Sequence, residues 1–246
     1  MRACIIIPAR YSSTRYPGKP LVPLLGKAMI LWVAELAAKC VGQAHVYIAT
    51  DDERIASVVE DAGFNVLLTS NTAATGTDRL AEAALMVDYD LYINVQGDEP
   101  LIKPEDIAKV IAKKEENMGS IVNGYCWMAA DENPDSRDIP KVVASEDDTL
   151  LYMSRAAIPS YKDQSCAPAR YKKQVCIYAF TKAELQAFAG FGRKGVVERH
   201  EDIEILRFFE LGSKIILVET QPGSLAVDSP SDVANVERAL QNLHKT

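Results

Sequence analysis

The sequence predicts an α/β fold with a mostly parallel sheet covered by helices on both faces. Three observations carry this expectation. Apolar runs of strand length recur without the alternation of a half-exposed strand. Segments of about ten residues with helical spacing separate them, as in a doubly wound sheet. The first run leads directly into a loop with three cations, Arg10, Arg15 and Lys19, where such sheets hold their ligands.

In chain order, residues 3–7 are a bare apolar run expected to end at Pro8, and 28–40 have helical composition and spacing. Residues 46–49 form the next expected strand, closing at Thr50-Asp51-Asp52, and Asp52 can cap a helix through Asp61. Gly63 breaks that helix, 65–68 make a third strand, a helix is expected around 78–85, and 91–95 complete the alternation. Residues 104–116 read as another helix. From 119 to about 193 the rhythm changes to strand-like pieces at 121–127, 141–144, 150–153 and 171–180. Their separators, Asn133-Pro134-Asp135, Asp147-Asp148 and Ala167-Pro168, predict an antiparallel excursion that roofs a site or pairs with another subunit. Then come a helix over 198–211, a strand over 214–219, and a helix over 229–243 that starts with Ser-Pro. One domain, 1–246, is expected, with 119–193 as an acceptor lid or dimerisation subregion.

The 246 residues carry 27 Lys+Arg against 34 Asp+Glu, a net charge of −7 that argues against nucleic acid as a partner. The charge is uneven: five cations precede the first acid, Glu35, so the first 34 residues carry +5 and the remainder 22 − 34 = −12. A local basic segment on an acidic chain points to a small anionic ligand. No uncharged apolar stretch reaches the roughly 18 residues that span a bilayer, and neither a membrane anchor nor a secretory signal is expected. Five cysteines form no CxxC pair and three histidines are scattered, which argues against zinc and for a reducing, cytoplasmic compartment.

The segment from Pro8 and Ala9 through Lys19 combines cations, small hydroxyl residues and a glycine, a composition that can hold phosphate through main-chain N–H groups and charged side chains together. It is neither a Walker A loop nor a GxGxxG fingerprint. Asp98, on the turn after the 91–95 strand, is placed to hold Mg²⁺ with phosphate oxygens, and Asp228 offers a second carboxylate. Cys176 reads as a strand thiol with no base nearby, and the acids over 198–210 read as a solvated helix face, with Glu201 and Glu204 three apart.

IIPARYSSTRYPGKPL, ATDDERI, TGTDRLAEA, YINVQGDEP, KVV, LYMSRAAIP, IYAF, IEILR and VDSPSDV occur in order over nearly the whole chain. Together they resemble the CMP-Kdo synthetases, the 3-deoxy-manno-octulosonate cytidylyltransferases of lipopolysaccharide biosynthesis. The resemblance implies a Rossmann-like nucleotidyltransferase fold, a homodimer, and Mg²⁺-dependent transfer of CMP from CTP to a 2-keto-3-deoxy sugar acid with release of pyrophosphate. By the same resemblance Arg10 and Lys19 grip the triphosphate with Arg15 as helper, and Arg10, Lys19 and Asp98 are catalytic. Asp98 and Asp228 hold metal, and Pro8, Ala9, Thr77, Asp78 and Gln96 line the nucleotide. Arg79, Gln96, Arg155, Gln174, Tyr178, Glu201 and Glu204 fall around the acceptor. The pattern departs at Gln174-Val175-Cys176, where the family has His-Leu-Gly, and at Ile205, where it has Gln. Those departures raise an altered acceptor, such as an amino-sugar analogue, as an alternative to Kdo itself.

Overall fold

The computed structural model describes residues 1–12, 16–168, 170–223 and 225–243. Strand β1 (Ala3–Ala9) is followed by a two-strand hairpin, β2 (Pro23–Leu24) and β3 (Lys27–Ala28). Helix α1 (Met29–Val41) leads to β4 (Val46–Thr50), α2 (Glu53–Asp61) to β5 (Asn65–Leu68), and α3 (Gly76–Ala83) to β6 (Leu91–Val95). Helix α4 (Pro104–Glu116) precedes β7 (Ile121–Trp127), β8 (Lys141–Ala144), β9 (Leu150–Ser154) and β10 (Lys172–Phe180). The chain closes with α5 (Lys182–Gly190), α6 (Val196–Glu201), α7 (Arg207–Glu210), β11 (Ile215–Glu219) and α8 (Val233–Leu243).

The main sheet runs β11-β7-β10-β6-β1-β4-β5, with β8 and β9 branching from β10. Strands β1, β4, β5 and β6 are mutually parallel; β10 is antiparallel to both β6 and β7, and β11 is parallel to β7. Strands β1, β6, β7 and β11 therefore all point the same way. The loops that follow them emerge at one edge, which sets where the site can form.

Burial explains the missing alternation. Cys4, Ile5, Ile6 and Ile7 are all 0% exposed, because each face of β1 meets a helical layer. Cys4, Ile6, Tyr92 and Phe180 pack towards α3, α5 and α7, whereas Ile5, Ile7, Ile93 and Val95 pack towards α1, α2 and α4. A smaller cluster of Leu24, Met29, Val227 and Leu240 fastens α8 and the hairpin beneath the segment that carries Asp228.

The structure corrects five expectations. Pro8 lies within β1, opposite Ala49, because beyond Ile6 the strand pairs only on its β4 side. The 119–193 segment is less of an excursion than its rhythm implies: β7 and β10 belong to the main sheet, and only β8 and β9 leave it. The same segment contains helix α5, whose start is fixed by a reciprocal cap between Thr181 and Glu184. The expected helix over 198–211 is broken at Asp202, which has φ 50. The carbonyls of Glu201 and Asp202, which a continuous helix would pair with later N–H groups, instead accept from Arg155 Nε and Nη2 at 2.6 and 3.0 Å. Glu198 is consequently no solvated acid: it is 0% exposed and paired with Arg207.

Candidate active site

A cleft of about 670 Å³ opens at the edge where β1, β6, β7 and β11 end. Pro8 and Ala9 line it at the end of β1, Arg10, Lys19 and Pro20 after β1, Gln96, Gly97 and Asp98 after β6, and Asp228 after β11. Gly97 eases a close approach, since a Cβ there would lie 3.2 Å from the Pro8 carbonyl oxygen and 3.0 Å from Ile30, and a neighbour would have to give. The turn after β6 can thus press against β1 and deliver Asp98 to the basic loop.

At this end the charges converge. Lys19 Nζ lies 2.5 Å from Asp98 Oδ2 and 3.7 Å from Asp228 Oδ1. The two acid-bearing loops are tied by Val227 N donating to Asp98 O at 3.0 Å. Asp232 adds a support the sequence pattern did not single out: its Oδ2 accepts from Asp228 N and from Ser229 N and Oγ. Arg10 is exposed in the cleft and makes no ion pair with a described residue. Arg15 lies outside the described residues.

No cluster of three or more His, Cys, Asp or Glu side chains suited to a metal ion occurs among the described residues. The pair Asp98 and Asp228 nonetheless fits Mg²⁺, a hard cation that takes one or two carboxylates and completes its shell with water and phosphate. One cation, the Lys19 ammonium, already sits within reach of both.

A second lining group comes from α3. Thr75 accepts from Asp78 N at 3.1 Å and caps the helix. Gly76 N and Thr77 N and Oγ1 donate to the Glu204 carboxylate at 3.0, 2.8 and 2.7 Å. The first two N–H groups of α3 are therefore already satisfied by an internal anion and the third by the Thr75 cap. Arg79 is 4% exposed yet touches the cleft, donating to Thr69 Oγ1 and standing 3.2 Å from Asp51 Oδ1 in an ionic contact without hydrogen-bond geometry.

The third group, Arg137, Asp138, Arg155, Lys194, Asp202 and Glu204, mixes three cations with three acids. Arg155 builds this wall. Besides the two carbonyls already named, its Nη1 donates to Arg137 O at 2.7 Å, and its main-chain N donates to Glu201 Oε2 at 2.9 Å. Glu201 also accepts from Ser154 Oγ and Tyr152 Oη at 2.7 and 3.1 Å. Burial pulls the Glu201 carboxyl upward, but these hydrogen bonds together with the Arg155 charge outweigh it and hold it below the ordinary glutamate value.

The cleft thus brings together Pro8, Ala9, Arg10, Lys19, Arg79, Gln96, Asp98, Arg155, Glu204 and Asp228. Thr77, Asp78, Gln174, Tyr178 and Glu201 are not among its lining residues. Asp78 turns inward, accepting from Arg207 Nη1 and Nη2 at 2.8 and 3.2 Å. Gln174 Nε2 donates to Asn123 Oδ1 at 3.3 Å. Tyr178 pairs with Asn94, inside the end of β6, so it is 8% exposed and burial pushes its hydroxyl well above the usual tyrosine value. Desolvation, with Glu99 and Asp98 adding to it, likewise raises the Cys176 thiol, which suits an inert sulfur. Val175 and Ile205 belong to the core, so two of the departures from the family pattern concern packing. Arg137, Asp138, Lys194 and Asp202 were missed because the first two stand on the long connection from β7 to β8 and the other two flank the short helix α6, none within a motif the sequence pattern singles out.

A family profile described as cytidylyltransferase matches residues 4–215. The 8-amino-3,8-dideoxy-manno-octulosonate cytidylyltransferase of Shewanella oneidensis is 42% identical, over 98% of this chain and 99% of its own. Its counterpart in Shewanella baltica strain OS185 is 39% identical with the same coverage. Among solved structures, CMP:2-keto-3-deoxy-manno-octonic acid synthetase complexed with CTP superposes with a TM-score of 0.91 at 35% identity, covering 98% of this chain and 99% of that one. A cytidylyltransferase from Leptospira borgpetersenii shares the fold, with a TM-score of 0.66 at 17% identity over 98% and 87% of the two chains. With its cations and carboxylates gathered at the strand ends, the chain is a nucleotidyltransferase enzyme belonging to the cytidylyltransferase family.

Proposed function

We propose that this enzyme transfers the CMP unit of CTP to 8-amino-3,8-dideoxy-manno-octulosonate, an eight-carbon 2-keto-3-deoxy sugar acid, and releases pyrophosphate. The convergence of Lys19, Asp98 and Asp228 beside Arg10 carries the nucleotide half of this reading. The acceptor half is supported by the full-length relatives named for that acid. The third group of the cleft is compatible with it, because mixed cations and acids suit an acceptor bearing both carboxylate and ammonium.

The anomeric oxygen of the acceptor forms a bond to the α-phosphorus, the α–β anhydride bond breaks to release pyrophosphate, and the hydroxyl proton passes to water. Negative charge grows on the phosphoryl oxygens and on pyrophosphate, so catalysis consists mainly of positioning and electrostatic stabilisation. Arg10 offers a planar fork to the phosphate chain, while Lys19 acts as a compact charge that exchanges its carboxylate partners for phosphate oxygens. Mg²⁺ held by Asp98 and Asp228 would neutralise the triphosphate and lower the barrier to attack. Arg155, through the carbonyls it ties, keeps the acceptor wall in place.

The reading extends to a homodimer that covers exposed apolar residues of the 119–193 region, such as Leu151 (57% exposed) and Tyr161 (41%). It also places the enzyme in the cytoplasm, where five free thiols persist, and its product in lipopolysaccharide biosynthesis. A second reading keeps the reaction and takes Kdo itself, favoured by the match to the 2-keto-3-deoxy-manno-octonic acid synthetase.

A coupled pyrophosphate assay with CTP, Mg²⁺ and each acid in turn tests the proposal. Higher kcat/KM for the 8-amino acid is expected. A preference for Kdo overturns the acceptor assignment, and no pyrophosphate with either acid overturns the function.

A further inference from the structure

Lys141 lies on β8, is 0% exposed, and has no carboxylate within ion-pair distance among the described residues. Its ammonium donates instead to two main-chain carbonyls, Ser136 O at 2.7 Å and Arg155 O at 2.6 Å. Burial outweighs the more distant charges of Asp135 and Glu201 and disfavours the ammonium; such a buried charge is costly, and a strand position is served as well by a branched hydrocarbon. The charge therefore needs a reason in what it grips.

Ser136 immediately precedes Arg137 and Asp138, and Arg155 immediately follows β9; all three of those residues line the cleft. Lys141 thus holds two separate segments at the point where each enters the site. The chain of contacts continues from one cation to the next. Lys141 fixes the Arg155 main chain, and the Arg155 guanidinium then takes the carbonyls of Arg137, Glu201 and Asp202. Neither cation touches the loops after β1 and β6 through these bonds.

We propose that Lys141 is a positioning residue for the acceptor: its buried ammonium clamps the 128–140 connection to the end of β9, which sets the acceptor wall without acting on the nucleotide. This rests on the reading that this end of the cleft receives the sugar acid. The clamp works by donated hydrogen bonds, so a neutral group with two N–H donors retains part of the function, whereas a hydrocarbon of equal length retains none.

The test compares wild type with Lys141→Met and Lys141→Gln. For Lys141→Met the expected result is an acceptor KM raised about tenfold or more, with the CTP dissociation constant, measured by calorimetry, within about twofold of wild type. Lys141→Gln is expected to recover acceptor KM to within about threefold of wild type. An unchanged acceptor KM in folded Lys141→Met overturns the proposal, as does a parallel loss of CTP binding or a Gln variant no better than Met. Should Lys141→Met fail to fold, Lys141→Gln is read alone for the same split; failure of both variants to fold assigns the lysine to the fold and overturns the proposal. If wild type turns over neither sugar acid, the functional reading has failed. In that case amide hydrogen exchange across 129–140 decides the clamp: faster exchange in Lys141→Met supports it and unchanged exchange overturns it.

Discussion

The two ends of the cleft hold charge in different ways. At the end proposed for the nucleotide, Lys19, Asp98 and Asp228 sit on the connections that follow the strands, partly open to water, and neutralise one another directly. Behind the wall proposed for the acceptor, charge is sunk into the structure. Arg207 bridges Glu198 and Asp78 with almost no exposure, Lys141 and Arg155 grip main-chain carbonyls, and Glu204 caps α3. An end that must take up and release a highly charged triphosphate keeps its ions where partners can be exchanged. An end that must recognise the shape of a sugar uses its ions to hold backbone in place, because a misplaced wall costs discrimination directly.

That contrast can be broken by mutation, and the largest effect should come from the buried ions. Arg207→Met leaves two inward-facing carboxylates without their cation and should destabilise the protein by about 3 to 5 kcal/mol, measured by urea unfolding. Stability within about 1 kcal/mol of wild type would mean that the acceptor side does not rest on buried ions. At the other end Asp98→Asn and Asp228→Asn should each lower turnover at least about tenfold, or about 1.4 kcal/mol of barrier. Their melting temperatures should stay close to wild type, and Mg²⁺-dependent product formation at a near-normal rate would refute the metal assignment.

The smallest effect concerns acid. Because the folded Glu201 carboxyl titrates below the ordinary glutamate value, its contribution to stability is complete above about pH 4.3 and is lost as the pH falls through the lower folded value. Glu201→Gln should therefore make the fall in melting temperature below about pH 4 shallower than in wild type. An acid limb of equal steepness would show that Glu201 does not carry the Arg155 wall.

The nucleotide end was legible in the sequence because it is local. Arg10 and Lys19 follow one strand, Asp98 ends another, and a parallel sheet delivers both to the same edge whatever the details of packing. The acceptor end was less legible because its members meet through long-range choices. Glu198 sits in a segment that reads as solvated helix surface and Asp78 in one that reads as nucleotide lining, and only the fold reveals Arg207 between them. The break at Asp202 has no glycine or proline to announce it; it follows from Arg155 capturing the carbonyls of Glu201 and Asp202. Helix α5 was readable in principle from Thr181 and Glu184, three apart ahead of an apolar stretch, but the strand-like rhythm on its N-terminal side obscured it. Tyr178 was placed near the acceptor by its motif, whereas the register opposite Asn94 puts its ring in the core.

The most direct test of the whole account is one incubation of the enzyme with Mg²⁺, equimolar CTP, UTP, ATP and GTP, and equimolar 8-amino-3,8-dideoxy-manno-octulosonate and Kdo, with the products resolved by mass. The CMP conjugate of the 8-amino acid should dominate. A dominant UMP, AMP or GMP conjugate, or CMP-Kdo in excess over the amino product, would contradict the proposed function.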